Sequence, residues 1–342
     1  MNSVERVNAA LRLEQPDRVP VAEFIIDEKI ARAIMPDMAD IYDFMDRIGL
    51  DTVGCGACFR KEDRADGAYV DEWGVTYKSS VEAVAYPISG PIKTMADAKA
   101  YSPPHPNASW RLGNLPDIVR RYKGRRAICF HHRAAFMWSA YLMGLDNLLA
   151  SFLAEPEMAN LVMDKVLEAN MTVVRNAVRA GAEIVILGDD YAHNQGALMS
   201  PALFREFILP RLTRMVHMIK NEGARCIKHS DGNIYAILED IVSAGCDGIN
   251  PIEPVAGMDL ATVKRLAGSR VCITGNIDCA RLLPHGTGEE VQAAVIQAIQ
   301  DAGKGGGYIL TSSNSIHSSV NPANFVAMIE ATHRHGVYNE TI

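Results

Sequence analysis

The sequence predicts an α/β fold, a (β/α)8 TIM barrel with an N-terminal helical extension and an inserted β element. Three observations predict it. Eight short apolar runs are spaced along the chain with segments of helical period between them, the alternation that builds a parallel sheet. The last four runs, beginning at Arg225, Gly248, Val271 and Tyr308, end in His229-Ser230-Asp231, Asn250-Pro251-Ile252-Glu253, Asn276-Ile277-Asp278 and Ser312-Ser313-Asn314. Polar bursts after successive strands are how a parallel barrel gathers an active site at the carboxyl ends of its strands. Finally, between Asp63 and Pro104 the helical period gives way to hairpin-like alternation, which marks the insertion.

A short helix from Val4 to Leu13 precedes the first strand, Arg18 to Ile25, with Pro16-Asp17 between them. The second strand, Asp51 to Gly56, follows a helix over Ala39 to Ile48. Tyr69 to Tyr77 reads as a hairpin and Ala85 to Ile88 as a further edge strand. About 40 residues make a marginal core alone, so residues 63–104 are read as an insertion within one unit spanning 1–342. The third strand is Ala127 to His131, and the long helical stretch after it, broken near Asp146 and Pro156, runs to Ala180. The fourth, Glu183 to Leu187, ends in Gly188-Asp189-Asp190-Tyr191. Ser200-Pro201 and Asn321-Pro322 each place a capping side chain before a proline at the first helical position, and Thr287 with Glu290 has capping-box spacing.

The formal charge is -7 without a Lys/Arg-rich run, so neither nucleic acid nor an anionic membrane is an expected partner. No apolar stretch approaches the roughly 18 residues that would span a bilayer, and the polar start lacks a signal peptide's apolar core. A cytoplasmic location is expected. The seven cysteines are expected to be free thiols, with Cys129, Cys226 and Cys272 inside apolar runs. Cys55-Gly56-Ala57-Cys58 lacks a second pair and reads as two ordinary thiols.

Strand ends supply the candidate site residues. Asp189 and Asp190 are consecutive, so their side chains face opposite ways and one of them faces the mouth as a catalytic carboxylate. Tyr191, His193, His131 or its neighbour His132, Asn276, Ser312 and Ser313 are candidate substrate contacts. His229 is a candidate catalytic residue at the fifth strand end.

The opening Glu5-Arg6-Val7-Asn8-Ala9-Ala10-Leu11, continuing through Gln15-Pro16-Asp17-Arg18-Val19-Pro20-Val21, resembles the start of the uroporphyrinogen decarboxylase superfamily. Val70-Asp71-Glu72-Trp73-Gly74, Met199-Ser200-Pro201, Phe204-Arg205-Glu206-Phe207, Thr274-Gly275-Asn276-Ile277-Asp278 and Gly306-Gly307-Tyr308-Ile309-Leu310 carry the resemblance across nearly the whole chain. It implies a (β/α)8 barrel, in keeping with the strand count. It also implies a choice between porphyrinogen decarboxylation and corrinoid-linked methyl transfer. Decarboxylases of the superfamily carry an arginine-rich segment after the first strand, and here the matching stretch, Ala22 to Glu28, is acidic. An octacarboxylate substrate would be repelled there.

The methyltransferase branch implies zinc held by a His-x-Cys pair after strand five and a Cys after strand eight. This chain has His229-Ser230-Asp231 and Thr311-Ser312-Ser313-Asn314 at those places. The histidine is kept and both thiolates are absent. By the resemblance, His229, Asp231 and Glu253 are the expected metal ligands, a nitrogen and oxygen set that zinc accepts with a position left open. Such a site is a better Lewis acid toward an ether oxygen than an activator of thiols. The expected activity is therefore O-demethylation: methyl transfer from a small methoxylated, aromatic donor to the cobalt(I) of a corrinoid protein. A methyl-corrinoid:thiol methyltransferase, a uroporphyrinogen decarboxylase and a non-catalytic corrinoid binder are the alternatives. The expected cofactors are zinc and a corrinoid carried by the partner protein, and a second copy of the chain is admitted as a homodimer partner.

Overall fold

The computed structural model describes residues 1–64, 67–78 and 86–338. In chain order the strands are β1 (Thr52–Gly56), β2 (Lys61–Asp63), β3 (Ala68–Asp71), β4 (Thr76–Lys78), β5 (Tyr86–Ser89), β6 (Ala127–His132), β7 (Ile184–Gly188), β8 (Ala192–His193), β9 (Gly196–Ala197), β10 (Arg225–His229), β11 (Gly248–Asn250), β12 (Cys272–Ile277) and β13 (Tyr308–Ser312). Seven of them form one parallel sheet in the order β1-β6-β7-β10-β11-β12-β13. Helices connect consecutive strands of that sheet, as parallel pairing requires.

The barrel closes through a very short eighth stave. Leu310 N donates to Pro20 O and Ala22 N to Leu310 O, both at 2.9 Å, while Asp51 N donates to Val21 O at 2.8 Å. The predicted first strand, Arg18 to Ile25, is thus reduced to residues 20–22, and Arg18 and Ile26 make separate bridges to Val337 and Ile316. The physical reason lies in its own residues. Pro20 has no N–H for a ladder, and the Val21 amide is taken by the Asp51 carboxylate at 3.0 Å.

The barrel interior is built from small and branched residues, Ala22, Ala127, Cys129, Ile184, Ile186, Ile227, Cys272 and Ile309. Val7, Ala10 and Leu11 of the helix Ser3–Leu11 pack into the same cluster from below. That helix starts with an Asn2/Glu5 capping box. It is tied down by Ser3 Oγ and Arg6 Nη1, which donate to fully buried Asp51 at 2.8 and 2.7 Å. The N-terminal extension therefore seals the bottom of the barrel, leaving the carboxyl ends of the strands as the open face.

The inserted element is an antiparallel sheet, β2-β3-β4-β5; Ala85, the predicted start of its last strand, lies outside the described residues. Trp73 stacks on Trp138 with ring centroids 4.7 Å apart, and Tyr77 meets Tyr141 edge-on at 6.3 Å. Aromatic pairs of this kind fasten the sheet to the helix Phe136–Met143. The insertion thereby backs Trp138, a wall of the barrel mouth.

The long helical stretch breaks at Gly144 and at Pro156, close to the predicted places, into Phe136–Met143, Leu145–Ala154 and Pro156–Arg179. Ser200, Asn321 and the Thr287/Glu290 box cap helices as their spacing predicts. All seven cysteines are free. Among the described residues no helix is long and apolar enough to cross a membrane.

Candidate active site at the barrel mouth

His229 is the last residue of β10, in register with Gly188 at the end of β7 on one side and with Asn250 at the end of β11 on the other. Register puts the His229 and Asn250 side chains on the same face, and His229 Nδ1 meets Asn250 Oδ1 at 2.6 Å. Asn250 uses its own Nδ2 to donate to Thr311 Oγ1 at 3.3 Å. Its carbonyl oxygen therefore faces the imidazole, which makes Nδ1 the protonated nitrogen and leaves Nε2 pointing away with its lone pair.

That Nε2 looks at two carboxylates. Asp231 Oδ1 lies 3.2 Å from it and Asp190 Oδ1 3.8 Å from it. The three side chains offer ligand atoms all within 4.8 Å of one another. Asp231 Oδ1 is buried and accepts no hydrogen bond of normal geometry, whereas Asp231 Oδ2 accepts from Asn314 Nδ2 at 2.7 Å. Asp190 Oδ1 accepts from the Asp231 amide at 3.1 Å. A lone pair facing two carboxylate oxygens is stable only with a cation or a proton among them. Burial opposes charge on His229, but the nearby Asp231 and Asp190 outweigh it and raise its pKa. The same proximity to His229 overcomes burial and lowers the pKa of Asp231. One nitrogen and two carboxylate oxygens, one of them an orphaned buried acceptor, fit a divalent cation such as zinc.

The loop after β10 is held in place by Gly232, at φ +83°, where a Cβ would sit 2.6 Å from the backbone of Ala192. Only glycine allows that approach. The loop thus rests on the β8-β9 hairpin, and Asp231 is fixed beside His229. Behind the site, buried Lys228 donates from Nζ to the carbonyls of Leu187 (3.2 Å), Asp189 (2.6 Å) and His229, and lies over the Tyr191 ring at 4.3 Å.

Asp190, His131, His132, Arg133, Asn314 and His229 share one cavity of about 230 Å³, walled by Phe24, Phe59 and Trp138. Burial pushes His131 and His132 down to about 4, so both are neutral at pH 7. His131 meets Phe24 edge-on at 5.9 Å, and His132 Nε2 pairs with Asn170 Oδ1 at 3.1 Å.

Several sequence expectations place differently. Asp189 turns away from the cavity: its carboxylate accepts from the amides of Ala135, Phe136 and Met137 at 2.9, 3.0 and 3.1 Å. It caps the helix Phe136–Met143, and Asp190 is the member of the pair that faces the mouth. Glu253 lies outside the three-residue cluster, and its carboxylate accepts from the Gly232 amide at 2.8 Å. Tyr191 is buried in the core against Phe136 and Phe204. His193 is exposed on the hairpin, its Nδ1 accepting from Gln195 N at 3.0 Å. Asn276 donates to Ile252 O at 3.1 Å, bracing the loop after β11.

Ser312 and Ser313 also leave the cavity. Ser312 Oγ donates to Glu23 at 2.8 Å, and Ser313 Oγ accepts from Cys279 N at 3.2 Å. Asn314, two residues beyond the end of β13, takes the cavity position instead. The acidic stretch after the first strand is not the anion-repelling surface that its composition suggests. Glu23 is buried and pushed up to about 8 by that burial, Asp27 caps a helix through Lys29 N, and Glu28 pairs with Arg32. The residues that this stretch turns to the cavity are Phe24 and Ile25. Arg133, Phe59 and Asn314 were not legible as site residues, since the first two sit in loops without a marked motif.

Comparison with known proteins agrees with the fold. The sequence profile described as uroporphyrinogen decarboxylase (URO-D) matches residues 72–335. The uroporphyrinogen decarboxylase of Aeromonas salmonicida (strain A449) is 24% identical over 254 residues, spanning 71% of this chain and 69% of that protein. That of Pseudoalteromonas translucida (strain TAC 125) is 25% identical over 258 residues, with the same two shares. Among solved structures, a methyltransferase from Methanosarcina mazei superposes with a TM-score of 0.79 at 19% identity, covering 98% of this chain and 99% of that one.

Proposed function

From the premise that the chain belongs to the uroporphyrinogen decarboxylase family, we propose that it is the substrate-side methyltransferase of a corrinoid-dependent O-demethylase. It moves the methyl group of a small methoxylated aromatic compound to cobalt(I) of a separate corrinoid protein. The observation that carries this reading is the Asp190-His229-Asp231 cluster, with its orphaned acceptor, at one side of an aromatic-walled cavity. A cavity of about 230 Å³ suits a single ring rather than a tetrapyrrole, and among the described residues Arg133 is the one arginine or lysine that lines it. A porphyrinogen's many carboxylates would need a set of cations. The superposition on a methyltransferase supports the shared fold.

In the proposed step, cobalt(I) attacks the methyl carbon in line as the carbon–oxygen bond breaks. The bonding pair stays on oxygen, which takes a proton to become a phenol, and a cobalt–carbon bond forms. An aryl oxide is a poor leaving group at neutral pH, so charge on that oxygen must be stabilised. His229 Nε2, Asp190 and Asp231 would hold zinc, which supplies Lewis-acid polarisation of the ether oxygen. Asn250 fixes the imidazole and Asn314 fixes Asp231, so the ligand atoms are set before substrate arrives. Phe24, Phe59 and Trp138 orient the ring and exclude water. The barrel face opposite the N-terminal plug stays open to admit the partner's cofactor.

The test is metal removal. Chelation is expected to slow demethylation of a phenyl methyl ether by about 10²–10³-fold, the several kcal/mol that a Lewis acid supplies, and zinc at one equivalent should restore it. Full activity in metal-free protein would end this reading. Carbon dioxide release from uroporphyrinogen would transfer the chain to the decarboxylase activity of its named relatives.

A further inference from the structure

Arg133 follows β6 and lines the cavity shared with His229 and Asp190. Its guanidinium is in no ion pair among the described residues. The Nε hydrogen is buried without an acceptor. Its one side-chain partner is the Tyr141 hydroxyl, at a long 3.4 Å, with the Tyr141 ring 5.5 Å from the guanidinium carbon. A buried donor on a permanent cation without an acceptor is costly in a free-standing protein.

The neighbouring acids are all committed elsewhere. Asp189 gives both oxygens to helix amides, and Asp190 belongs to the cluster at His229. Asp71 accepts from Trp73 N, Val75 N and the Tyr77 hydroxyl. Glu72 is held in a two-bond pair by Arg111. Among the described residues, the protein thus keeps a cation at an apolar cavity with no carboxylate paired to it. Histidines 131 and 132 beside it are neutral and do not compete for an anion.

Resting on the reading of this site as a demethylase, we infer that Arg133 is a specificity-determining residue that binds an anionic group on the substrate's ring, so that the preferred donor is a methoxylated aromatic carboxylate. The planar guanidinium offers paired donors that match a carboxylate. The anion belongs at the Arg133 side, because two carboxylates occupy the cluster side. The aromatic side chains of the same cavity suit the ring.

The experiment is equilibrium binding by calorimetry, without cobalt, of a methoxybenzoate and of its uncharged carboxamide to the zinc-loaded protein, to Arg133→Gln and to Arg133→Lys. The unaltered protein is expected to bind the acid about tenfold to a hundredfold more tightly than the amide, the range of a hydrogen-bonded charge. Arg133→Gln should bring the two within about twofold, while Arg133→Lys keeps part of the preference. Circular dichroism of each variant establishes that it is folded; loss of the fold in Arg133→Gln leaves the acid-to-amide ratio of the unaltered protein and of Arg133→Lys to decide. Equal binding of acid and amide by the unaltered protein, or a preference that survives in Arg133→Gln, overturns the inference. Arg133-dependent acid binding without demethylation would uphold it and sink the demethylase reading. Demethylation of neutral ethers as readily as acids would do the reverse.

Discussion

Replacing His229 by alanine is expected to remove most of the bound zinc and to slow methyl transfer by about 10²–10³-fold, with thermal stability nearly unchanged. The cluster has one nitrogen donor, and Asn250 dedicates that nitrogen to it by occupying the other ring position. Without the imidazole, two carboxylates remain, which suit harder cations better than zinc. The lost polarisation of the departing oxygen accounts for the rate. Zinc content by elemental analysis and the single-turnover rate check both halves. A His229→Ala protein that retains its zinc and its rate would move the site elsewhere in the barrel.

Asp189→Ala should produce the opposite pattern, a large loss of stability with the side chains of Asp190, His229 and Asp231 left in place. Its carboxylate serves three consecutive buried amides at the start of the helix Phe136–Met143 and lies near buried Lys228, whose charge it helps to offset. Losing a cap costs about 0.5–2 kcal/mol and leaving a buried cation without its counter-charge adds to that, so a total of about 2–4 kcal/mol is expected in denaturant unfolding. Asp189→Asn keeps an oxygen for the amides and should lose less. Asp190→Ala, by contrast, should leave the unfolding midpoint within about 1 kcal/mol of the parent and lower zinc occupancy. Equal stability of the Asp189→Ala and Asp190→Ala variants would refute the division of roles between these neighbours.

The contrast between the two aspartates also shows what the sequence could reveal. Strand ends were legible because a polar burst after an apolar run is a pattern along the chain, and the barrel, the insertion and His229 follow from it. Which of two adjacent side chains points inward depends on where the strand stops, and β7 stops at Gly188. One residue of difference sends Asp189 to a helix and Asp190 to the cavity. At β13 the strand ends at Ser312, which turns toward Glu23, and the bend beyond it brings Asn314 to the mouth. Glu253 falls outside the cluster, and its bond to the Gly232 amide is a contact across strands that no spacing reports. Arg133 stayed invisible for a related reason: its significance lies in the carboxylates that it does not meet, and their commitments to Tyr77, Arg111 and helix amides are three-dimensional. The first strand was overestimated because its apolar residues read as a ladder, although Pro20 and the Asp51 carboxylate take two of the amide positions out of it.

In the proposed reaction this site breaks a methyl–oxygen bond and delivers the methyl group to cobalt. Its most direct measurement mixes zinc-loaded protein with a cobalt(I) corrinoid carrier and a methoxybenzoate carrying carbon-13 in its methyl group. One labelled methyl on cobalt is expected for each phenol released, at a rate that falls in His229→Ala. Label that stays on the ether, while a thiol is methylated from methyl-cobalt or uroporphyrinogen loses carbon dioxide, would contradict it.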